Sequence, residues 1–182
     1  MAKREDSEEL TKEQRKAILD ERAAFLAQAP LSTSQKENEL DVLELVISNE
    51  RFAIEAKFVR EANKLSNWTE LPCTPDFVLG LMNFRGQILP LIDLRPILEL
   101  GSSEKKSELQ IVVVQLTNGQ TAIAVDEIAG ISSILEKELQ DARQLVSPML
   151  APLLKGVRQD RTAVLDVEKL FSDPRLIVET YP

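Results

Sequence analysis

From Asp41 onward the apolar positions alternate with polar ones or fall in short runs, the period-2 signature of strands rather than the 3.6-residue period of helices. "VLELVIS" (42–48) and "RFAIEAKFV" (51–59) flank Asn49-Glu50 and predict a β-hairpin. "FVLGLMNF" and "QILPLIDL" flank Arg85-Gly86 and predict a second. "LQIVVVQLTNGQTAIAVDEI" is the clearest case, two apolar strands around Asn118-Gly119, the pair that type I′ turns prefer. "LLKGVRQDRTAVLDV" predicts a fourth pair turning near Gln159-Asp160, with short helical turns around Ser147-Pro148 and over Glu168–Phe171. Many short strands without interleaved helices make this an all-β chain, a barrel or a sandwich.

The N-terminus has a different rhythm. In "LTKEQRKAILDERAAFLAQAP", Thr11 followed by Gln14 fits a capping box, and Pro30 imposes a stop. Ile18, Leu19, Arg22, Phe25 and Leu26 share one broad face, so an α-helix is expected there, packed on its own domain or offered to a partner helix. "APLSTSQKENELD" reads as a polar linker. The expected organisation is therefore a helix and linker over residues 1–40, a β domain over 41–175 and a tail over 176–182.

The β region repeats itself. "RFAIEAKFVREA" has the rhythm of "GQTAIAVDEIAG", and "LGLMNFRGQILPLIDL" parallels "KGVRQDRTAVLDV", with Gly80 opposite Gly156 and Asp93 opposite Asp166. A spacing of about 76 residues is too long for a solenoid unit and points to two related small barrels in series.

Composition narrows the chemistry. The 182 residues, 43% apolar and 29% charged, suit an ordinary globular domain. Arg85, Asp93, Asp126 and Asp166 interrupt the apolar runs, so none suits a transmembrane helix, and "MAKREDSEEL" does not read as a secretory signal. A net charge of −8 without a Lys/Arg cluster argues against nucleic acid. The chain has no histidine, which removes Ser-His-Asp and Cys-His catalysis and His-based zinc sites. It also lacks Gly-rich phosphate loops and EF-hand spacing, so no catalytic, metal or cofactor site is expected. One cysteine, Cys73, excludes an internal disulfide and fits a reducing compartment.

A few residues deserve individual weighing. Asp93, Asp126 and Asp166 each end an apolar strand, and paired carboxylates can do acid–base work. Capping of the turns that follow is the favoured reading for Asp93 and Asp166. Arg85 reads either as a solvated hairpin residue or as the partner of Glu61, facing it across a barrel. Cys73, in "LPCTPDF", has no local base and reads as passive, and Trp68 as a packing residue.

At "FVLGLMNFRGQILPLIDLRPIL" the sequence resembles the CheW family of bacterial chemotaxis coupling proteins. The block Gly-x-x-Asn-hydrophobic-Arg-Gly, an apolar strand with Pro, then hydrophobic-Asp-Leu-Arg is met by Gly80, Asn83, Phe84, Arg85, Gly86, Pro90, Asp93, Leu94 and Arg95. Upstream, Val59 and Glu61 match the family's hydrophobic-x-Glu, and "LPCTPDFVLG" is similar to its connecting loop. The resemblance spans about Asp41 to Phe171, with Phe84 where the family usually carries Leu. It implies two five-stranded SH3-like barrels sharing a core. It also implies a non-enzymatic, cofactor-free adaptor between the regulatory domain of a CheA-type histidine kinase and the cytoplasmic tip of a methyl-accepting chemoreceptor. Such a protein would be cytoplasmic and recruited to receptor arrays, without membrane insertion. Val59 would then belong to a receptor-facing apolar surface, Glu61 and Arg85 would form an interacting pair, and Gly80 and Gly86 would keep the backbone shape. A same-fold coupling protein of a twitching-motility or developmental pathway is the alternative, and a hydrolase using Asp93 and Asp166 a distant third.

Overall fold

The computed structural model describes residues 39–101, 110–117 and 119–176. The expected N-terminal helix lies outside them, as does nearly all of the expected tail. The strands are β1 (Glu39–Ile47), β2 (Glu50–Glu55), β3 (Val59–Lys64), β4 (Trp68–Thr69), β5 (Val78–Phe84), β6 (Gln87–Asp93), β7 (Gln110–Leu116), β8 (Gly119–Val125), β9 (Glu127–Leu135), β10 (Leu154–Val157) and β11 (Ala163–Leu165); a short helix α1 (Val167–Phe171) follows. They form one sheet in the order β10-β11-β2-β1-β9 and another in the order β3-β7-β8-β6-β5-β4, each curled as a small SH3-like barrel.

The registers reveal how the two barrels are related. Gly80 pairs with Leu91 after a bulge in β5, and Gly156 pairs with Val164 after a bulge in β10. Strand β6 runs parallel to β8, and β11 runs parallel to β2. Val59 and Glu61 bracket a bulge against Val114 and Val113; Ile128 and Gly130 bracket the matching bulge against Leu45 and Glu44. The half-repeat is therefore a pseudo-twofold in which each hairpin gives its next strand away. The chain leaves β2 in the first sheet for β3 in the second, and leaves β8 in the second for β9 in the first.

Burial follows from this arrangement. Ile111, Val113, Ala122 and Ala124 fill a core private to the second barrel. The alternate residues Val112, Val114, Ile123 and Val125 join Leu43, Leu45, Ile47, Phe52 and Ile54 in a core drawn from both sheets. Strands covered on both faces need apolar residues at every position, which is why "IVVV" and "AIAV" are continuous rather than alternating. Val42, Ala53, Ile134 and Val164 fill the first barrel.

Three boundaries depart from the sequence reading. Gly119, expected in the third hairpin's turn, is instead the first residue of β8, paired with Leu116. The apolar run 51–59 is not one strand: a single 3-10 turn, Ala56–Phe58, separates β2 from β3 and redirects the chain between barrels. Ile47 pairs with Glu50, so the first hairpin turns on Ser48-Asn49, both at positive φ (50° and 67°), one residue earlier than expected.

Candidate functional site

The hairpin β5–β6 closes Phe84 against Gln87 around Arg85 and Gly86, whose φ values of 53° and 85° are those of a type I′ turn. Asn83 explains its place in the motif, because its Oδ1 accepts the Gly86 N–H at 2.9 Å and fixes the turn. Gly86 has open space where a Cβ would stand, so only its conformation calls for glycine. Gly80 is different: a Cβ there would lie 2.1 Å from the carbonyl oxygen of Thr69 in β4. Pro90 occurs in an interior strand, yet it pairs with Leu81 at a non-hydrogen-bonded site and precedes Leu91, the first residue of the β6–β8 ladder. Its missing N–H therefore removes no rung.

This turn carries Arg85 to Glu61 on β3, the far edge of the same sheet. The two form an ion pair across the barrel mouth, with the Arg85 side chain 75% exposed and that of Glu61 22%. Asn63 donates to the other Glu61 oxygen at 2.6 Å, and the Arg85 guanidinium stands 5.4 Å from the Phe84 ring centroid. Phe84 thus supplies a face for the arginine that an aliphatic residue would lack. Asn63 carries no functional signal in the sequence, and Phe84 reads there only as the motif's apolar position. Val59 opens β3 half-buried against the shared core.

Apolar surface continues outward from here. Ile88 is 62% exposed, and Pro90 beside it is also exposed. Across the ladder they face Asn83 and Leu81, on the side of the sheet whose inner end, Ile92, enters the shared core. On the first barrel Ile131, 75% exposed, pairs with the shared-core residue Leu43. The shared core therefore has an apolar rim on both barrels.

The pseudo-twofold gives an internal control for the ion pair. In the first barrel Arg158, after β10, meets Glu44 of β1 at 2.9 Å, and Glu44 is the cross-strand neighbour of Gly130, the register equivalent of Glu61. That pair is enclosed: both side chains are under 30% exposed, Ser132 donates to Glu44 at 2.7 Å and Asp160 lies 3.3 Å from Arg158. The same device closes both mouths, but of the two arginines Arg85 alone has a mostly exposed side chain.

Asp93 ends β6 of the second sheet and Asp166 follows β11 of the first, each at the start of a turn. Asp93 Oδ1 accepts the Arg95 N–H at 2.9 Å, and Asp166 Oδ1 accepts the Lys169 N–H at 3.2 Å as the cap of α1. Among the described residues no three His, Cys, Asp or Glu side chains converge as metal ligands. Cys73 is exposed, and Trp68 packs half-buried on the core of the second barrel. No described helix is long and apolar enough to cross a membrane.

Comparison with known proteins fits this architecture. The solved structure of the scaffolding protein TtCheW from Thermoanaerobacter tengcongensis superposes with a TM-score of 0.65 at 22% identity, over 75% of this chain and 94% of that one. The chemotaxis protein CheW of Treponema pallidum is 26% identical over 81% of this chain and 89% of its own length. That of Klebsiella aerogenes is 28% identical over 75% and 84%. Protein PilI of Pseudomonas aeruginosa is 27% identical over 50% of this chain and 51% of its own. The family model described as the CheW-like domain matches residues 41–175, and the chain belongs to that family.

Proposed function

We propose that the chain is a non-enzymatic adaptor that joins a CheA-type kinase's regulatory domain to the cytoplasmic tip of a methyl-accepting chemoreceptor. It would work in the cytoplasm, at receptor arrays, without a cofactor. The observation that carries this reading is the exposed Arg85, held by Glu61, Phe84 and an Asn83-fixed turn beside an apolar rim. An ordered cation next to exposed apolar surface suits a protein docking site better than a substrate pocket, since it fixes register and orientation at an interface. Val59, Glu61 and Arg85 are the partner-binding residues on this account. The receptor's helical hairpin lies along the rim where both barrels expose apolar side chains.

Coupling follows from shared contacts. An adaptor shifts a kinase equilibrium only by the difference in its affinity for the two kinase states, so it needs neither a nucleophile nor a phosphate loop. The same motif suits a second reading, a same-fold coupling protein of a twitching-motility or developmental receptor–kinase pathway. Titration of the full chain with a kinase regulatory domain and, separately, with a receptor-tip hairpin tests the proposal. Binding is expected at or below tens of micromolar, roughly the range of small modular interfaces. Absence of both complexes overturns it, and preference for a pilus-pathway kinase selects the second reading.

A further inference from the structure

Arg95 is only 7% exposed, and its guanidinium reaches three other parts of the chain. Nη1 donates to Asp93 Oδ2 of β6 at 2.9 Å, and Nη2 donates to Asp126 Oδ1 at 2.7 Å. Nε donates to Ser48 Oγ at 3.2 Å, in the β1–β2 turn of the other barrel. Asp126 stands where the chain leaves β8 for β9, crossing from the second barrel to the first. Its Oδ2 accepts the Ser48 N–H at 2.7 Å, and its own N–H donates to the Val46 carbonyl at 3.0 Å. Ser48 Oγ in turn donates to the Gly101 carbonyl at 3.3 Å.

This cluster departs from the pseudo-twofold. Asp93 corresponds to Asp166, so Arg95 corresponds to Glu168, which is exposed. A shared apolar core resists separation of two layers but is non-directional and tolerates small rotations. A planar guanidinium holding two carboxylates and a hydroxyl at fixed angles does not. Buried ion clusters contribute little net stability, and their best use is to specify one arrangement.

We propose that Arg95 is a positioning residue that locks the first barrel onto the second at a single angle, so that the apolar rim is preformed before a partner arrives. The consequence for a partner touching both barrels rests on the adaptor reading; the lock itself does not. The test is electron–electron distance measurement on the full chain carrying Cys73→Ser, with spin labels at exposed Lys64 and Lys137, one on each barrel. Arg95→Gln is expected to keep cooperative melting while broadening the inter-barrel distance distribution about twofold or more, as a released rigid-body contact does. Amide exchange at Ser48 and Asp126 is expected to accelerate roughly tenfold, with sheet-interior amides little changed. Arg95→Lys keeps the charge without the fork and is expected to give a smaller broadening, and it decides the matter if Arg95→Gln does not fold. A distribution and Ser48 exchange as in the parent, in whichever variant folds, overturn the lock. Intact locking with no partner binding would instead count against the adaptor reading alone.

Discussion

Gly80→Ala is the sharpest test of how the motif shapes the backbone. The new Cβ would stand 2.1 Å from the Thr69 carbonyl oxygen and 2.8 Å from its carbon, both main-chain atoms, at a residue with φ of 151°. Backbone strain of this kind costs about 1–3 kcal/mol. Forced overpacking adds about 1–3 kcal/mol, so a loss of roughly 2–6 kcal/mol is expected if nothing moves. The cheaper relief is to displace β4, a two-residue strand held to β5 by only Trp68–Met82 and Thr69–Leu81 pairing. Trp68 is the sole tryptophan and lies in that strand. Urea unfolding followed by its fluorescence is therefore expected to show a red-shifted native baseline together with a lowered midpoint. Gly86→Ala is the matched control, because it meets no atom within 4 Å and pays only for its φ of 85°. It is expected to cost about 1 kcal/mol without a spectral change. An unchanged midpoint and emission in Gly80→Ala would refute the argument.

The two barrel-closing ion pairs are expected to separate in the same assay. Arg85→Gln shifts stability by no more than about 0.5 kcal/mol because the arginine is largely solvated, whereas Arg158→Gln strands the half-buried Glu44 and costs about 1–2 kcal/mol; equal losses would contradict the distinction. Acid sensitivity is expected from Glu55 and Asp166. Burial pushes the Glu55 carboxyl up, but hydrogen bonds and charge from Lys155 and Lys57 bring it below its ordinary value; Lys169 and Lys155 do the same for Asp166 against its own burial. A carboxyl depressed in the folded state gives stability that is present above its unfolded pKa and lost as pH falls through the folded one. Urea midpoints should thus hold from neutrality to about pH 5 and decline below about pH 4. Glu55→Gln is expected to flatten that decline, and an identical profile would count against it. Phe84→Leu is expected to leave the fold intact and weaken partner binding about two- to fivefold through the lost cation–π contact, and unaltered affinity would show that the ring does not act through Arg85.

Much of the fold was legible because local chemistry dictates it. The Arg85-Gly86 pair located one hairpin and Asn118-Gly119 another to within a residue, and register pairs Gly80 with Leu91 as it pairs Gly156 with Val164, the correspondence that the repeat indicated. Strand β9 escaped notice because "EIAGISSIL" is rich in Ala, Gly and Ser and sits at a sheet edge, where burial does not enforce an apolar pattern. The exchange of β3 and β9 between barrels was invisible for another reason: periodicity reports which face of a strand is buried, never which strand lies beside it. In the site, the sequence placed Glu61 and Arg85 as possible neighbours. It held no sign that Asn63 and Phe84 would hold them, or that Glu44 and Arg158 would repeat the device. Arg95 was visible only as the last letter of a motif, since the carboxylate it shares with Ser48 comes from Asp126, far along the chain.

An adaptor of the proposed kind holds a kinase and a receptor at the same time through one copy of the chain. Light scattering on a size-exclusion column, with the chain, a kinase regulatory domain and a receptor-tip hairpin mixed at concentrations above their separate dissociation constants, tests it most directly. A single species whose mass contains all three is expected. Arg85→Glu is expected to deplete this species, and adding Glu61→Arg to restore it partly, the signature of coupled sites. Partners that displace one another, so that only binary masses appear, would contradict the adaptor.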